Sequence, residues 1–429
     1  MVRQELEENK ITQAELDSNI CENPCRGRMI SGFQILCLFN SYLNIHKPSE
    51  YTLPITGGEK HFLEVAKVWK EHKVRLKILT TYGGYRLCQT QSLNEYCTFL
   101  TFDGNRIGVI GAYLLRIVEG AMFTLKHRWE ICTYSATDIL PDIVPAVVIK
   151  LLQGKRSKMA CFIFHLIPRF STRAGSIFLN IISYLSQRVS LSLTRRYSDI
   201  IFVDNEKLRM DLISLGFREN NIAVIPLGID KEKINRAKHI PNLNYDACYV
   251  GRLHITKGIF DLIDIWRYVV REKKDASLVI VGGGANEEMM TELRNKLSKY
   301  GIDKNIILLG YVPHDNDVYQ LMKTSKIFLF PSHEEGWGIA LSEAMAAGLP
   351  AVVYDLPAFR DKDLGGAITK VKLGDYESFA RAILDLLLHE DIRKVKSRKA
   401  IIATARYDWE KTAMLELTKL VEITKDIYQ

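Results

Sequence analysis

Two glutamates separated by seven residues, Glu335 and Glu343, lie in "HEEGWGIALSEAMAAGLP", a segment otherwise built mostly of small and apolar residues. The apolar run "KIFLFPS" before it reads as a strand, and Gly336 and Gly338 allow close backbone approach in the following loop. Helix is expected from Gly338 or Ile339 to a stop at Gly348 and Pro350. The free amides of Trp337, Gly338 and Ile339 at that start would hold an anion such as phosphate, with Glu335 at the mouth. Glu343 falls just over one turn in, among Ile339, Leu341, Ala344, Met345 and Ala347, so it is expected to be shielded from water. A buried carboxylate needs donors, and the hydroxyls of a sugar or ribose would serve. On spacing alone a structural reading stands equally: Glu335 favours the helix dipole and Glu343 pairs with an arginine.

A second group lies in "YVGRLHITKGIFDL", where Arg252 and Lys257 occupy a loop between a strand and a helix and are framed by Gly251 and Gly258. An arginine fork and a lysine point charge beside a helix start make a diphosphate clamp. Taken singly, each would pass for an ordinary loop cation. In "PITGGEKHF", Gly57 and Gly58 open a helix and would let the backbone approach a ligand across a cleft. Gly282, Gly283 and Gly284 in "VIVGGGANEE" follow a strand without completing a dinucleotide-binding fingerprint and count only as a tight strand end.

The elements that must position these residues alternate along the chain. Strand candidates in the first half are "FQILCLF", "VRLKILT", "YCTFLTF", "WEICTYS", "MACFIFH", "DIIFVDN" and "IAVIPLG". Helical segments lie between them, such as the one bearing Phe62, Val65, Ala66 and Trp69 on one face. Strands apolar throughout, alternating with helices, mean a parallel sheet covered on both sides. After a polar stretch the alternation restarts with "ACYVGRL", "SLVIVGGG", "NIILLGYV", "KIFLFPS" and "PAVVYDL". At 429 residues two cores are expected. The expected division is an N-terminal extension at 1–28, a Rossmann-like domain at 29–227 and a linker at 228–245. A nucleotide-binding Rossmann-like domain at 246–405 and a closing amphipathic helix at 406–429 follow, the latter with Trp409, Ala413, Leu417 and Leu420 on one side, packing back toward the first domain. Two such sheets place the site in the cleft between them, at the carboxyl ends of the strands.

Composition narrows the class. The polar, acidic start "MVRQELEENKITQAELDSN" is unlike a signal peptide, so a cytoplasmic protein is expected. No uninterrupted apolar stretch reaches the ~18 residues of a membrane span. The eight cysteines are scattered, and Cys21 and Cys25 lack the second pair a zinc site would need, so neither disulfides nor metal are expected. Residues 104–200 hold 13 Lys and Arg against 5 Asp and Glu and so account for the whole net charge of +8. In 104–129 and 170–196 these cations combine with apolar helical faces, a pattern for an anionic membrane surface as partner. The same faces would also serve to pack on the first sheet. Nucleic acid is disfavoured because no aromatic platform accompanies the charge.

The motifs "GRLHITKG", "VIVGGG", "ILLGYVP" and "FPSHEEGWGIALSEAMAAGLPAVV", with the Gly-Gly turn, occur in an order and spacing that resemble retaining glycosyltransferases of the GT-B fold. The resemblance is to the group with the Glu-seven-residues-Glu motif (glycosyltransferase family 4, group 1 type), and it covers roughly residues 30–425. It implies a nucleoside diphosphate sugar as donor, no cofactor and no metal, and a glycan, lipid or lipid-linked acceptor. It further implies that Arg252 and Lys257 bind the diphosphate with the Gly57 and Gly58 backbone, that Glu343 accepts from the ribose, and that Glu335 meets the sugar. The amides of Gly336, Trp337, Gly338 and Ile339 would lie near sugar and phosphate, Tyr311 and Val312 would border the base, and His165 would line the cleft near the reacting sugar. Many relatives follow that histidine with an acidic residue, where this chain has Leu166.

The same residues admit rival functions. A GT-A transferase would hold a metal with an Asp-x-Asp pair. Asp315–Asp317 at a helix start read as capping, and Asp361 and Asp363 as solvated. A GT-B-like sugar-nucleotide epimerase shares the clamp but needs no acceptor. A non-catalytic membrane-associated scaffold would be expected to have lost Arg252, Lys257, Glu335 or Glu343, and all four are present.

Overall fold

The structure, a computed structural model, describes residues 33–40, 55–99, 108–126, 132–169, 177–359 and 365–428. The N-terminal extension, Cys21 and Cys25, Asp361 and Asp363, and the outer parts of the two basic segments lie outside the described residues.

The first sheet contains β1 (Gln34–Phe39), β2 (Arg75–Thr80), β3 (Cys97–Phe99), β4 (Cys132–Ser135), β5 (Lys158–Ile163), β6 (Ile200–Val203) and β7 (Ile222–Val224). Their order is β3-β2-β1-β4-β5-β6-β7, and every pairing is parallel. Side chains alternate across the pleat. Ile35, Cys37, Phe162 and Phe202 belong to one buried layer, Leu36, Leu38, Ile163 and Val203 to the other. Both faces are therefore covered, as continuous apolar strands require.

The second sheet contains β8 (Tyr245–Val250), β9 (Leu278–Val281), β10 (Ile306–Gly310), β11 (Ser325–Phe330), β12 (Ala351–Tyr354) and β13 (Ile368–Val371), in the order β10-β9-β8-β11-β12-β13. This is the Rossmann order. Its order reverses between β8 and β11, which places the ligand crevice at the loops after these two strands.

Three local expectations differ from the structure. The stretch read as an unpatterned linker contains a helix, Lys231–Arg236, capped by Asp230 Oδ1 accepting from Lys233 N at 3.0 Å and anchored by the fully buried Ile234. The edge strand β13 was not expected. Asp315 and Asp317 do not cap their helix, Asp315–Lys323. The N-cap is His314, which makes no side-chain cap bond, and the two aspartates sit in the first turn, where they favour the helix dipole.

The chain ends in the helix Trp409–Tyr428, which packs along Gly57–Glu71 of the first half. Trp69 Nε1 donates to the Ala413 carbonyl at 2.9 Å. Glu416 lies between His61, with which it shares a 2.7 Å hydrogen bond, and the Tyr134 hydroxyl, which donates to it at 2.8 Å. All three are wholly buried, and both carboxylate oxygens have partners, the condition under which a buried charge is tolerated. The chain thus crosses between sheets twice, near residues 225–230 and again near 405–409. The crossings touch: Thr412 Oγ1 donates to the Pro226 carbonyl at 2.8 Å, and a Cβ on Gly228 would lie 2.4 Å from Trp409 N.

Candidate functional site

After β8 the chain makes a single 3-10 turn, Ile255–Lys257, closed by Gly258 in the left-handed region at φ 69° before helix Ile259–Glu272 begins. No other residue fits at 258, because a Cβ there would lie 1.8 Å from the Pro331 carbonyl oxygen at the end of the neighbouring β11. This contact sets the two strand-end loops against each other. Across it Lys257 Nζ lies 2.5 Å from Glu335 Oε1, with the Ser332 hydroxyl 3.1 Å from the same oxygen. The lysine and glutamate side chains are only 18% and 10% exposed, so their attraction is weakly screened.

Arg252, on the same loop, is held by its backbone, whose carbonyl accepts from the Tyr249 hydroxyl at 3.0 Å. Among the described residues no carboxylate pairs with its guanidinium. Burial and the charge of Glu335 push the Tyr249 phenol above its usual range while Arg252 opposes them, so both charges lie close enough to act on one buried ring.

The loop carrying Glu335 is tied down from below. His333 N donates to the Thr256 carbonyl at 2.9 Å, and the His333 ring shares a 2.8 Å hydrogen bond with Asp261, which also accepts from Tyr354 at 2.8 Å. Gly338 is the left-handed N-cap of helix Ile339–Ala346. Glu343 is 5% exposed within that helix, and its Oε1 accepts from the Tyr319 hydroxyl at 2.9 Å and from Lys60 Nζ at 2.7 Å.

Lys60 belongs to the first half. It follows the Gly57–Gly58 turn in a helix started by a capping box, in which Thr56 Oγ1 accepts from Glu59 N at 3.2 Å and Thr56 N donates to Glu59 Oε2 at 2.7 Å. The two halves meet along this helix start. A Cβ on Gly57 would lie 3.7 Å from Ile339 Cδ1, and one on Gly58 would lie 3.0 Å from the Phe164 ring. Gly336 sits so close to the end of β5 that a Cβ would fall 2.3 Å from the Phe164 carbonyl oxygen. His165 comes directly after that carbonyl and is exposed, and its own carbonyl accepts from Gln187 at 2.9 Å. Tyr311 follows β10 and packs against Gly283, and Val312 packs partly buried on the core. Burial, and secondarily Asp315, push the Tyr311 phenol upward.

The structure therefore collects Gly57, Gly58, Lys257, Glu335, Gly336, Ile339 and Glu343 along one interface between the sheets. Trp337 and Gly338 lie on the same loop, Arg252 on the adjoining one, Tyr311 and Val312 at the end of β10, and His165 at the facing strand end. Sequence reasoning missed Lys60, Ser332 and Tyr319 as partners of the two glutamates. Lys60 lies within "PITGGEKHF" and Ser332 within "KIFLFPS", so their elements were recognisable while their contacts were not. Among the described residues no group of three or more His, Cys, Asp or Glu is placed to hold a metal ion.

Residues 230–408 match the family described as glycosyl transferases group 1. Over 219 residues the chain is 31% identical to the phosphatidyl-myo-inositol mannosyltransferase of Mycobacterium leprae, a match covering 50% of this chain and 56% of that one. Over 201 residues it is 28% identical to an Escherichia coli UDP-Gal:alpha-D-GlcNAc-diphosphoundecaprenol alpha-1,3-galactosyltransferase, covering 43% and 50%. The chain spans about half the length of these curated relatives. Anabaena HepE, solved in complex with UDP and glucose, superposes with a TM-score of 0.69 at 18% identity over 91% of this chain and 100% of the other, a likeness of fold. The two facing parallel sheets are the GT-B fold, and residues 230–408 within it resemble the group 1 glycosyl transferases.

Proposed function

We propose that the protein transfers a hexosyl or related group from a nucleoside diphosphate sugar to a hydroxyl or phosphate of an acceptor, with retention and without a metal. The observation that carries this reading is the switch-point crevice of the second sheet, where Lys257, Glu335 and Ser332 form one hydrogen-bonded group beside the helix start at Gly338. Residues 246–405 form the donor half in this reading and residues 29–227 the acceptor half. As the glycosidic bond lengthens, charge grows on the leaving diphosphate, and Arg252, Lys257 and the amides at Trp337 to Ile339 stabilise it where it develops. Glu343 accepts from the ribose, Glu335 orients the sugar, Tyr311 and Val312 border the base, and His165 lines the acceptor side. Lys257 and Ser332 hold the Glu335 carboxylate in place, so the sugar meets a preset acceptor of hydrogen bonds.

A lipid or lipid-linked acceptor is supported by the substrates named for the mycobacterial and E. coli relatives. It is also supported by the surface of the first half. On helix Gly108–Lys126 the side chains of Ile110, Leu114, Val118 and Met122, spaced by four, are 39–58% exposed. Helix Ile177–Tyr197 adds exposed Leu185 and Val189 beside exposed Arg188, Arg195 and Arg196, and the two helices are joined by a 3.0 Å Tyr113–Ser186 hydrogen bond. Apolar stripes beside cations suit an anionic bilayer surface. Among the described residues no helix is long and apolar enough to cross a membrane.

The donor assignment is tested by thermal shift with UDP-, GDP- and ADP-sugars: one of them raises the melting temperature by a few degrees, as a ligand of the folded state must. Incubation of that sugar nucleotide without acceptor separates transfer from epimerisation, since an epimerised sugar nucleotide would defeat the transferase reading. For the surface, sedimentation with vesicles is expected to show binding to anionic and not to neutral lipid, lost in Leu114→Glu/Val118→Glu. Equal binding by that variant would remove the assigned face.

A further inference from the structure

Lys60 stands in the first turn of Gly57–Glu71, yet its charge is used on the other side of the cleft. Its Nζ lies 2.7 Å from Glu343 Oε1 and 3.6 Å from Asp315 Oδ2, with the lysine and Glu343 side chains 17% and 7% exposed. Burial works against an ammonium ion here, but Glu343, Tyr319 and Asp315 outweigh it and hold Lys60 well above its ordinary range. Lys60 is thus a shielded cation set directly against the Glu343 carboxyl. Breaking such a pair by removing one partner is costly, because the other is left uncompensated. Both Lys60 and Tyr319 approach Oε1 of Glu343. Among the described residues Oε2 takes no hydrogen bond.

We propose that Lys60 is a donor-site positioning residue supplied by the facing half: its pairing with Glu343 draws the two sheets together and fixes that carboxylate with Oε2 open to the ribose. The donor pocket is then complete only when the halves are closed. This rests on the reading of Glu343 as the ribose acceptor. Of the other contacts across the same seam, Gly57 with Ile339 and Gly336 with Phe164 are close approaches of small or apolar groups and backbone, and Asn205 donates a long, uncharged 3.4 Å hydrogen bond to the Gly336 carbonyl. They restrict how near the halves come without supplying a comparable attraction. The lysine also offsets a buried negative charge beside the place where an anionic diphosphate must sit, so losing it weakens donor binding more than it slows the chemical step.

The test compares Lys60→Met, Lys60→Arg and Glu343→Gln with wild type by small-angle X-ray scattering without nucleotide, and by donor kinetics. Lys60→Met and Glu343→Gln are expected to increase the radius of gyration. Lys60→Met is expected to raise donor KM about tenfold, within the range of ordinary coupling between sites, while kcat at saturating donor changes little. Lys60→Arg is expected to restore most of both. Unchanged scattering in Lys60→Met and Glu343→Gln overturns the inference, as does a loss confined to kcat, which would place Lys60 in the chemistry. The nucleotide-free measurement does not depend on the donor, so failure of wild type to bind any sugar nucleotide counts against the proposed function and is told apart from failure of the pairing.

Discussion

Lys257→Ala is expected to lower turnover about 10²- to 10³-fold, the loss that follows removal of a single group aimed at charge developing in a transition state. Donor KM should change less, because in the proposed mechanism Arg252 and the helix amides still meet the diphosphate. Stability should fall as well. Glu335, 10% exposed, would keep only the Ser332 hydroxyl at 3.1 Å in place of a cation. A double-mutant cycle with Glu335→Ala separates the effects: the stability loss should be partly recovered in the double variant, since no carboxylate is stranded, whereas turnover should not recover. Steady-state kinetics and urea midpoints on the four proteins are the measurements. Wild-type turnover in Lys257→Ala would end its assignment to the leaving group.

Gly258→Ala is expected to destabilise the fold by about 3–5 kcal/mol, read from the urea midpoint, at the far end of what single substitutions do. Two costs add there. The left-handed backbone at φ 69° is unfavourable for alanine, and the new methyl would stand 1.8 Å from the Pro331 carbonyl oxygen. Gly301 separates them, since it has nearly the same backbone, φ 66°, and open space around it. Gly301→Ala is expected to cost only about 1 kcal/mol, the backbone part alone. If the two variants proved equal, the contact between the β8 and β11 loops would not constrain position 258. Because Gly258 adjoins Lys257, relief of the clash also moves the cation, so Gly258→Ala should lose activity even at temperatures where it remains folded.

The strands bearing the site were legible because they are buried on both faces: short apolar runs such as "KIFLFPS" and "ACYVGRL", bounded by turn residues, suit a strand held between two layers of helices. Ile368–Val371 was not legible, since an edge strand packs on one side, alternates less clearly and carries Lys370, a charge of the kind that guards edges. Helix Lys231–Arg236 is too short for a period to show. In the closing helix the apolar face of Trp409, Ala413, Leu417 and Leu420 could be read, while nothing local marks Glu416 as buried. Its partners His61 and Tyr134 lie hundreds of residues away, and only the packed structure shows it as fully buried. The same holds at the site. The types and loop positions of Lys257, Glu335 and Glu343 were visible in the chain. That Lys257 faces Glu335, and that Lys60 reaches Glu343 from 283 residues earlier, follows from how two sheets meet and is encoded in no local pattern.

The contact of Gly228 with the backbone of Asp408 and Trp409 has a mechanical consequence. Two chain crossings that lie far apart would brace the sheets against each other like a pair of struts. Here both pass through one spot, further pinned by Thr412 on Pro226 and by Lys231 Nζ 3.4 Å from Asp408. A rotation about that spot would leave both crossings intact while its displacement grows with distance, so the seam between Gly57–Glu71 and Ile339–Ala346 would gain or lose its contacts together rather than one at a time.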